Sequence, residues 1–316
     1  MLVGTYFYNL GLVTLLLLVA RVSSFGTLKN QGQLRYGFSS RLGMFFADEL
    51  APEEKLNPTT TENTGSNEEV AAKENFPPLP VQLVISDSEG FLNAAGAFLV
   101  DSFWLGSDHH KLKKDVEMST DARMNLIIEQ AADLQEKYGE RMGRRSAKAC
   151  VVGALDEETK ELVGLATLKE TLMMNTEILE PEKAEAIAKN AVAALGPKQR
   201  REYKNAPIAK IAEELLSPDT KAVCVLSNLA VGKKARRRGV AQALCDELDA
   251  LANDWNFDEI HLLVESENTA ARTLYEKKLG YNLVSTNVAA AALRVDFETG
   301  AFVQIKQDTL VMAKQL

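Results

Sequence analysis

The stretch from Ala222 to Tyr281 constrains this chain more than any other part of it. It reads in order as strand, glycine-containing basic loop, helix, strand and helix. An apolar, mostly β-branched run at Val223, Val225, Leu229 and Val231 is followed by Arg236-Arg237-Arg238-Gly239-Val240-Ala241. A helical apolar repeat then appears at Ala241, Leu244, Leu248, Leu251 and Trp255. The loop ends where the helix begins, and the backbone N–H groups of a first helical turn have no intrahelical acceptor. Those donors and the helix dipole favour a phosphate. Gly239 allows close approach of backbone and ligand, and the small Ala241 keeps the first turn open. A nuclear-localisation-like patch and a solvated basic surface are the other readings of Lys233 to Arg238. Its position between strand and helix favours the phosphate site.

The residues that follow narrow the reading. Asn268-x-x-Ala271-x-x-Leu274-Tyr275 and Leu279-Gly280-Tyr281 stand after the second strand. With Arg236-x-x-Gly239-x-Ala241, their order and spacing resemble the GCN5-related N-acetyltransferase (GNAT) family. In that family the acetyl-coenzyme A loop reads (Arg or Gln)-x-x-Gly-x-(Gly or Ala). The resemblance implies an α/β fold, with a central, strongly bent, mixed β-sheet flanked by helices on both faces. It also implies acetyl-coenzyme A as cosubstrate, no metal, and direct transfer of acetyl to a primary amine in a ternary complex. The implied cofactor contacts are Asn228, Leu229, Ala230 and Val231, where the strand splays from its neighbour, then Arg236, Arg237, Arg238, Gly239, Val240 and Ala241, and finally Asn268 and Tyr275.

By the same resemblance Tyr275 is the general acid for the departing thiolate; a helix-packing aromatic is its structural alternative. The base is less well marked. Family members acting on ribosomal-protein N-termini often carry a glutamate five residues before the asparagine, and that position here is Leu263. Glu265, two residues on, shares its strand face. It is the candidate base, with a strand-end surface acid as the alternative, while Glu267 reads as solvated. The SNLAV strand, the RRRGVA loop and the LYEKKLGY end resemble plastid members that acetylate protein N-termini and lysines. A protein or peptide amine is therefore the expected acceptor. A small-amine acetyltransferase and a non-catalytic acetyl-coenzyme A-binding module are the other two readings.

The chain has 316 residues, room for one catalytic domain and attachments, and a net charge of −8. That acidity disfavours a general nucleic-acid binder. Cys150, Cys224 and Cys245 lack paired spacing and read as reduced thiols. His109-His110 makes no metal-ligand pattern.

Residues 1–47 contain no Asp or Glu. Gly11 to Ala20 suits a signal-peptide core (residues 1–24) and is short for a bilayer span, although no Lys or Arg precedes it. Residues 25–47, with Lys29, Arg35, Arg41 and several serines, read as a transit-like segment. The pair resembles the bipartite plastid presequences of algae with secondary plastids; a secretory or endomembrane destination and a membrane anchor are the alternatives. No membrane association is expected of the mature form. Residues 48–80 are acidic and hold five of the nine prolines (Pro52, Pro58, Pro77, Pro78, Pro80), as expected of a disordered linker.

The folded domain is expected over 81–316. Val81 to Asp87 reads as a strand, and Gly90 to Leu105 and Asp121 to Met142 read as helices. Ala149 to Leu155 and Leu162 to Leu168 read as a hairpin. Phe98, Phe103 and Trp104 read as core, with an acceptor-site wall as the alternative. Residues 172–220 form a helical insertion, with a helix over Pro181 to Leu195 and a weaker one over 207–216. A lid, an oligomer surface and a decoration docked by one face are equal readings of it. After Tyr281 an irregular apolar stretch is expected to about Ile305, with Val288 to Leu293 packed, before a last strand from Thr309. The sequence sets no oligomeric state.

Overall fold

The computed structural model describes residues 76–107, 110–113, 116–140 and 147–316. The presequence, most of the acidic linker and His109 lie outside these. Strand β1 (Val81–Ile85) follows a proline-rich approach that already holds the chain extended. Helix α1 (Glu89–Leu99) runs on into a π-helical turn, Val100–Trp104, closed by a bond from Leu105 N–H to the Val100 carbonyl at 2.8 Å. Helix α2 (Thr120–Tyr138) starts at Ser119, whose hydroxyl accepts from the Ala122 N–H at 3.1 Å. The two helices pack closely at Gly96, where a Cβ would stand 2.8 Å from the Ala131 backbone. Phe98 and Phe103 pack against the cluster of Leu92, Leu99 and Leu134, and Trp104 against Leu126 and Val295, so the three aromatics are half-buried along the edge of the core.

Strands β2 (Ala149–Asp156) and β3 (Leu162–Met174) form the expected hairpin, β3 running six residues further than periodicity predicts. The insertion holds β4 (Glu177–Ile178), α3 (Pro181–Ala193), α4 (Pro197–Tyr203) and α5 (Ile208–Leu215). Ala184, Ala188, Ile208 and Ile211 bury one face of it on Leu172 and Ala222. Ala222 lies six residues before Asn228 on β5 (Thr220–Val231), ~20 Å along a strand. The insertion is therefore docked at the far end of β5 and does not roof its C-terminal half.

A 3₁₀ turn (Lys233–Ala235) leads to α6 (Val240–Asp254), β6 (Glu259–Glu265) and α7 (Thr269–Lys277). The chain ends in β7 (Asn282–Asp296) and β8 (Ala301–Gln315). The sheet order is β1-β2-β3-β5-β6-β8-β7, with β4 on β3. Every pairing is antiparallel except β5–β6, where the α6 crossover returns the chain in the same direction. One sheet face packs Val152, Leu168, Leu226, Ile260 and Met312 on Leu244 and Leu248 of α6 and Tyr275 of α7. The opposite face packs Val151, Leu165 and Ala230 on α1 and α2. Helices thus flank both faces of a mixed sheet.

The C-terminal region corrects the sequence reading. Residues 282–305 belong to a paired hairpin, not an irregular loop, although β7 is bulged between Leu283 and Ser285 and between Asn287 and Ala290, and Val288 is 77% exposed. The run from Val288 to Leu293 is apolar without being packed because β7 is the outermost strand. Between Ala301 and Asp308 the hairpin also outruns β6, so among the described residues β8 has only β7 as its strand neighbour there. The residues flanking its tip are docked all the same, with Val295, Phe297 and Phe302 packed on Val100 and Leu126. All three cysteines are unpaired, and burial pushes the Cys150 thiol up to about 11 and that of Cys245 up to about 12.

Candidate active site

The site begins with a fault in the sheet. β5 is in register with β6 over three pairs only, Cys224–Ile260, Val225–His261 and Leu226–Leu262. It stays bonded to β3 further along, through Thr167–Ser227, Leu165–Ala230 and Gly164–Val231. The register shifts between Leu165 and Thr167, so β5 carries one extra residue there. Asn228 takes up the bulge with φ of 51°, a left-handed conformation that asparagine tolerates better than other side chains. Its Nδ2 donates to Thr167 Oγ1 at 3.3 Å, and the Tyr138 hydroxyl donates to the same oxygen at 3.0 Å. Thr167 is fully buried, so this small network fixes the bulge from beneath. From Ser227 to Ala230 the backbone edge that faces β6 has no strand partner among the described residues. Asn228, Leu229, Ala230 and Val231 stand where the sequence expects the splay.

The basic loop lies just beyond. Gly239 is the N-cap of α6 with φ of 87°, and a Cβ there would meet nothing within 4 Å. Glycine is required by conformation, and the space ahead of the helix N-terminus is open. Arg237 is also left-handed, with φ of 62°. The side chains are less free than their charge implies. Arg236 Nε donates to the Val231 carbonyl at 3.0 Å and Nη2 to the Ser102 carbonyl at 3.1 Å, tying loop, strand end and π-helical turn together. Arg238 Nε donates to the Pro77 carbonyl at 3.1 Å. Lys233, Lys234 and Arg237 remain exposed beside the helix start, while Val240 is buried and Ala241 half-buried.

Asn268 is the N-cap of α7, its Oδ1 accepting from the Ala271 N–H at 3.1 Å. That bond gives the residue a structural duty and leaves its Nδ2 available. Tyr275 lies on α7 within the core cluster that holds Val240 and Val264. Its ring meets Tyr281 edge to face at 5.7 Å. Burial raises the Tyr275 phenol above its ordinary range, so the proton stays on at physiological pH, as a general acid requires.

The base is where the geometry departs from expectation. Leu263 is 43% exposed on the β6 face that also carries Glu265. The Glu265 carboxylate is not free: Arg294 Nη1 and Nη2 donate to its two oxygens at 2.8 and 2.7 Å. A bidentate guanidinium occupies both oxygens, so Glu265 is better suited to fastening the hairpin to the end of β6 than to receiving a proton from an acceptor amine. Glu267 is exposed. Sequence reasoning did not find Arg294, Thr167 or Tyr138, whose partners are far away in the chain. The asparagine in the middle of a β-branched strand was the one readable trace of the bulge. Among the described residues no group of His, Cys, Asp and Glu could hold a metal ion.

The profile of the acetyltransferase (GNAT) family matches residues 121–281, half of the chain, including the splayed strand, the loop and α7. The chain belongs to the GNAT acetyltransferase family. No curated protein matches the sequence. Similar solved structures include a GNAT acetyltransferase from Streptococcus pneumoniae, with 15% identity over 74% of this chain and 100% of that one and a TM-score of 0.40. A mosquito arylalkylamine N-acetyltransferase like 5b has 16% identity over 74% and 100%, with a TM-score of 0.40. The ribosomal-protein-S18-alanine N-acetyltransferase of Escherichia coli has 16% identity over 74% and 94%, with a TM-score of 0.37. As a GNAT enzyme the protein is an acetyl-coenzyme A-dependent acetyltransferase. Its residues fit that cosubstrate, with a strand edge left open past Leu226, open space at Gly239 and the exposed cations Lys233, Lys234, Arg236 and Arg237 at the helix start.

Proposed function

We propose that the protein moves acetyl from acetyl-coenzyme A to primary amines of polypeptides, at a protein N-terminus, a lysine side chain or both. Transfer is direct, within a ternary complex. The observation that carries this reading is the bulge at Asn228, which frees a backbone edge of β5 shortly before the Arg236–Ala241 loop; the buried Tyr275 phenol, which keeps its proton, supports it. Acetyl-coenzyme A supplies the activated acetyl group. The edge from Ser227 to Ala230 holds its arm, and a backbone N–H there polarises the thioester carbonyl. The acceptor nitrogen forms the C–N bond as the C–S bond breaks, and its surplus proton passes to solvent. Tyr275 gives its phenolic proton to the departing sulfur and regains one from water.

Two features support a polypeptide acceptor. One is the resemblance of the SNLAV, RRRGVA and LYEKKLGY segments to plastid protein acetyltransferases. The other is the β7–β8 hairpin, which leans on α2 and the π-helical turn and lends the acceptor side a long wall with an exposed strand edge. The bipartite character of residues 1–47 supports a plastid location, with the acidic linker preceding the catalytic fold. The test is mass spectrometry of products after incubation with acetyl-coenzyme A, peptides bearing free α-amines or internal lysines, and polyamines. Acetylated peptides are expected. Acetylated polyamines alone would make it a small-amine enzyme, and coenzyme A binding without any product would make it a binding module. Fusing residues 1–46 to a fluorescent reporter checks the compartment, and secretion of the reporter would overturn the plastid assignment.

A further inference from the structure

The four residues from Phe76 to Leu79, which precede β1 and lie outside the family match, converge on the phosphate loop. The Arg237 guanidinium lies over the Phe76 ring, 5.8 Å from its centroid. The Pro77 carbonyl accepts from Arg238 Nε at 3.1 Å, and the Leu79 N–H donates to the Arg238 carbonyl at 3.0 Å. The Leu79 side chain packs on the core cluster that holds Ala235 and Val240, the residues on either side of the loop.

These contacts fall on the part of the loop that most needs support. Arg237 is left-handed without being glycine, and Gly239 is left-handed two residues later. A long side chain in that region persists only where its surroundings hold it. Left alone, the loop relaxes, and binding must then restore it, which weakens the apparent affinity. We propose that Phe76–Leu79 is a strap that preorganises the coenzyme A loop, gripping Arg237 by its side chain and Arg238 by side chain and backbone. Cofactor affinity then depends on residues upstream of the first strand. The prolines at 77, 78 and 80 suit this task, because they keep the strap extended without the entropy of a flexible segment. The inference rests on Arg236–Ala241 being the coenzyme A loop.

The test uses the full chain, with coenzyme A affinity by calorimetry and steady-state kinetics with a peptide acceptor. Phe76→Ala is expected to raise the coenzyme A Kd and the acetyl-coenzyme A KM by about two- to five-fold, the range of an exposed cation–π contact. The kcat at saturating acetyl-coenzyme A and the acceptor KM should stay at wild-type values. Phe76→Trp should restore affinity, and Phe76→Ala should have no further effect on an Arg237→Ala background. Unchanged or tighter binding by Phe76→Ala overturns the strap, as does an equal loss on the Arg237→Ala background. Gly239→Glu separates the two levels of the claim. Lost coenzyme A binding there, with Phe76→Ala inert, overturns the strap alone, whereas retained binding overturns the loop assignment beneath it.

Discussion

Replacing Arg294 with methionine separates the two roles open to Glu265. The Arg294 side chain is 8% exposed and that of Glu265 17%, so water screens the pair little. Removing one partner of a buried pair costs about 3–5 kcal/mol, and the residual exposure of Glu265 places this variant near the lower end, at about 3 kcal/mol. For a folded region of this size ~1 kcal/mol moves Tm by about 2–4 °C, so Arg294→Met should melt about 6–12 °C early. Glu265→Gln keeps an oxygen and the shape, and should lose less. Glu265→Leu combined with Arg294→Met should recover much of the loss, since an apolar pair of similar volume leaves no charge stranded. Thermal melts by circular dichroism read the stability, and thiol release at a temperature below all the midpoints reads catalysis. If the pair is a fastening, Glu265→Gln keeps kcat within about three-fold, well short of the ~100-fold or more associated with losing a general base. A 100-fold fall with Tm unchanged, and loss of the acidic limb of the pH–rate profile, would refute the structural role and restore Glu265 as the base.

Other outcomes follow from the same geometry. Tyr275→Phe should lower kcat by about 100-fold through loss of the acid, with coenzyme A affinity spared; an unchanged kcat would end that assignment. Because burial holds the phenol above its ordinary value of 10, wild-type kcat should show no basic limb below pH 10 from this group. Gly239→Ala has room for its methyl but not the right φ, so the free protein should lose about 1–2 kcal/mol by denaturant titration, while Gly239→Asn should lose less. Equal losses would show that backbone conformation is not what the glycine supplies. His261 is buried, and desolvation outweighs the neighbouring Glu259 in holding its imidazole below the ordinary 6.5. A depressed folded pKa contributes stability above the unfolded value that is lost as pH falls through the folded one. Tm should therefore drop on acidification below pH 6.5 and drop less in His261→Gln; parallel curves for the two proteins would exclude His261 as the source.

What the sequence made legible was local. Apolar spacing marked β5 and α6 because each has a buried face of regular period, the Asn268–Tyr275 motif marked α7, and Gly239 stood at the junction where a left-handed residue was needed. The hairpin from Asn282 to Gln315 was hidden for the opposite reason. A run such as Val288 to Leu293 has neither alternation nor a charged face, and small apolar residues on an outermost strand look like residues in a core. The contacts that finish the site were also out of reach. Glu265 and Arg294 are 29 positions apart, and Arg238 and Pro77 are 161 apart. Neither pair has a local pattern that could announce the other partner. The π-helical turn escaped notice because its apolar spacing differs little from that of the helix it extends.

The short β5–β6 register has a further consequence for the protein as a whole. The sheet is two antiparallel panels, β1-β2-β3-β5 and β6-β8-β7, sewn together by three residue pairs. Past Leu226 the seam is open, and on the proposed reading the cosubstrate's arm lies where further stitches would be. The small molecule then completes the sheet as well as feeding the reaction. At a hundred times its Kd a ligand adds about 2.7 kcal/mol to the folded state, a large share of the margin by which most proteins stay folded. That protection should concentrate along the seam, slowing amide exchange from Ser227 to Val231 more than in the insertion at the other end of β5. A compartment short of acetyl-coenzyme A would hold less of the enzyme, as well as running it more slowly, so that metabolic supply is written into the protein's lifetime.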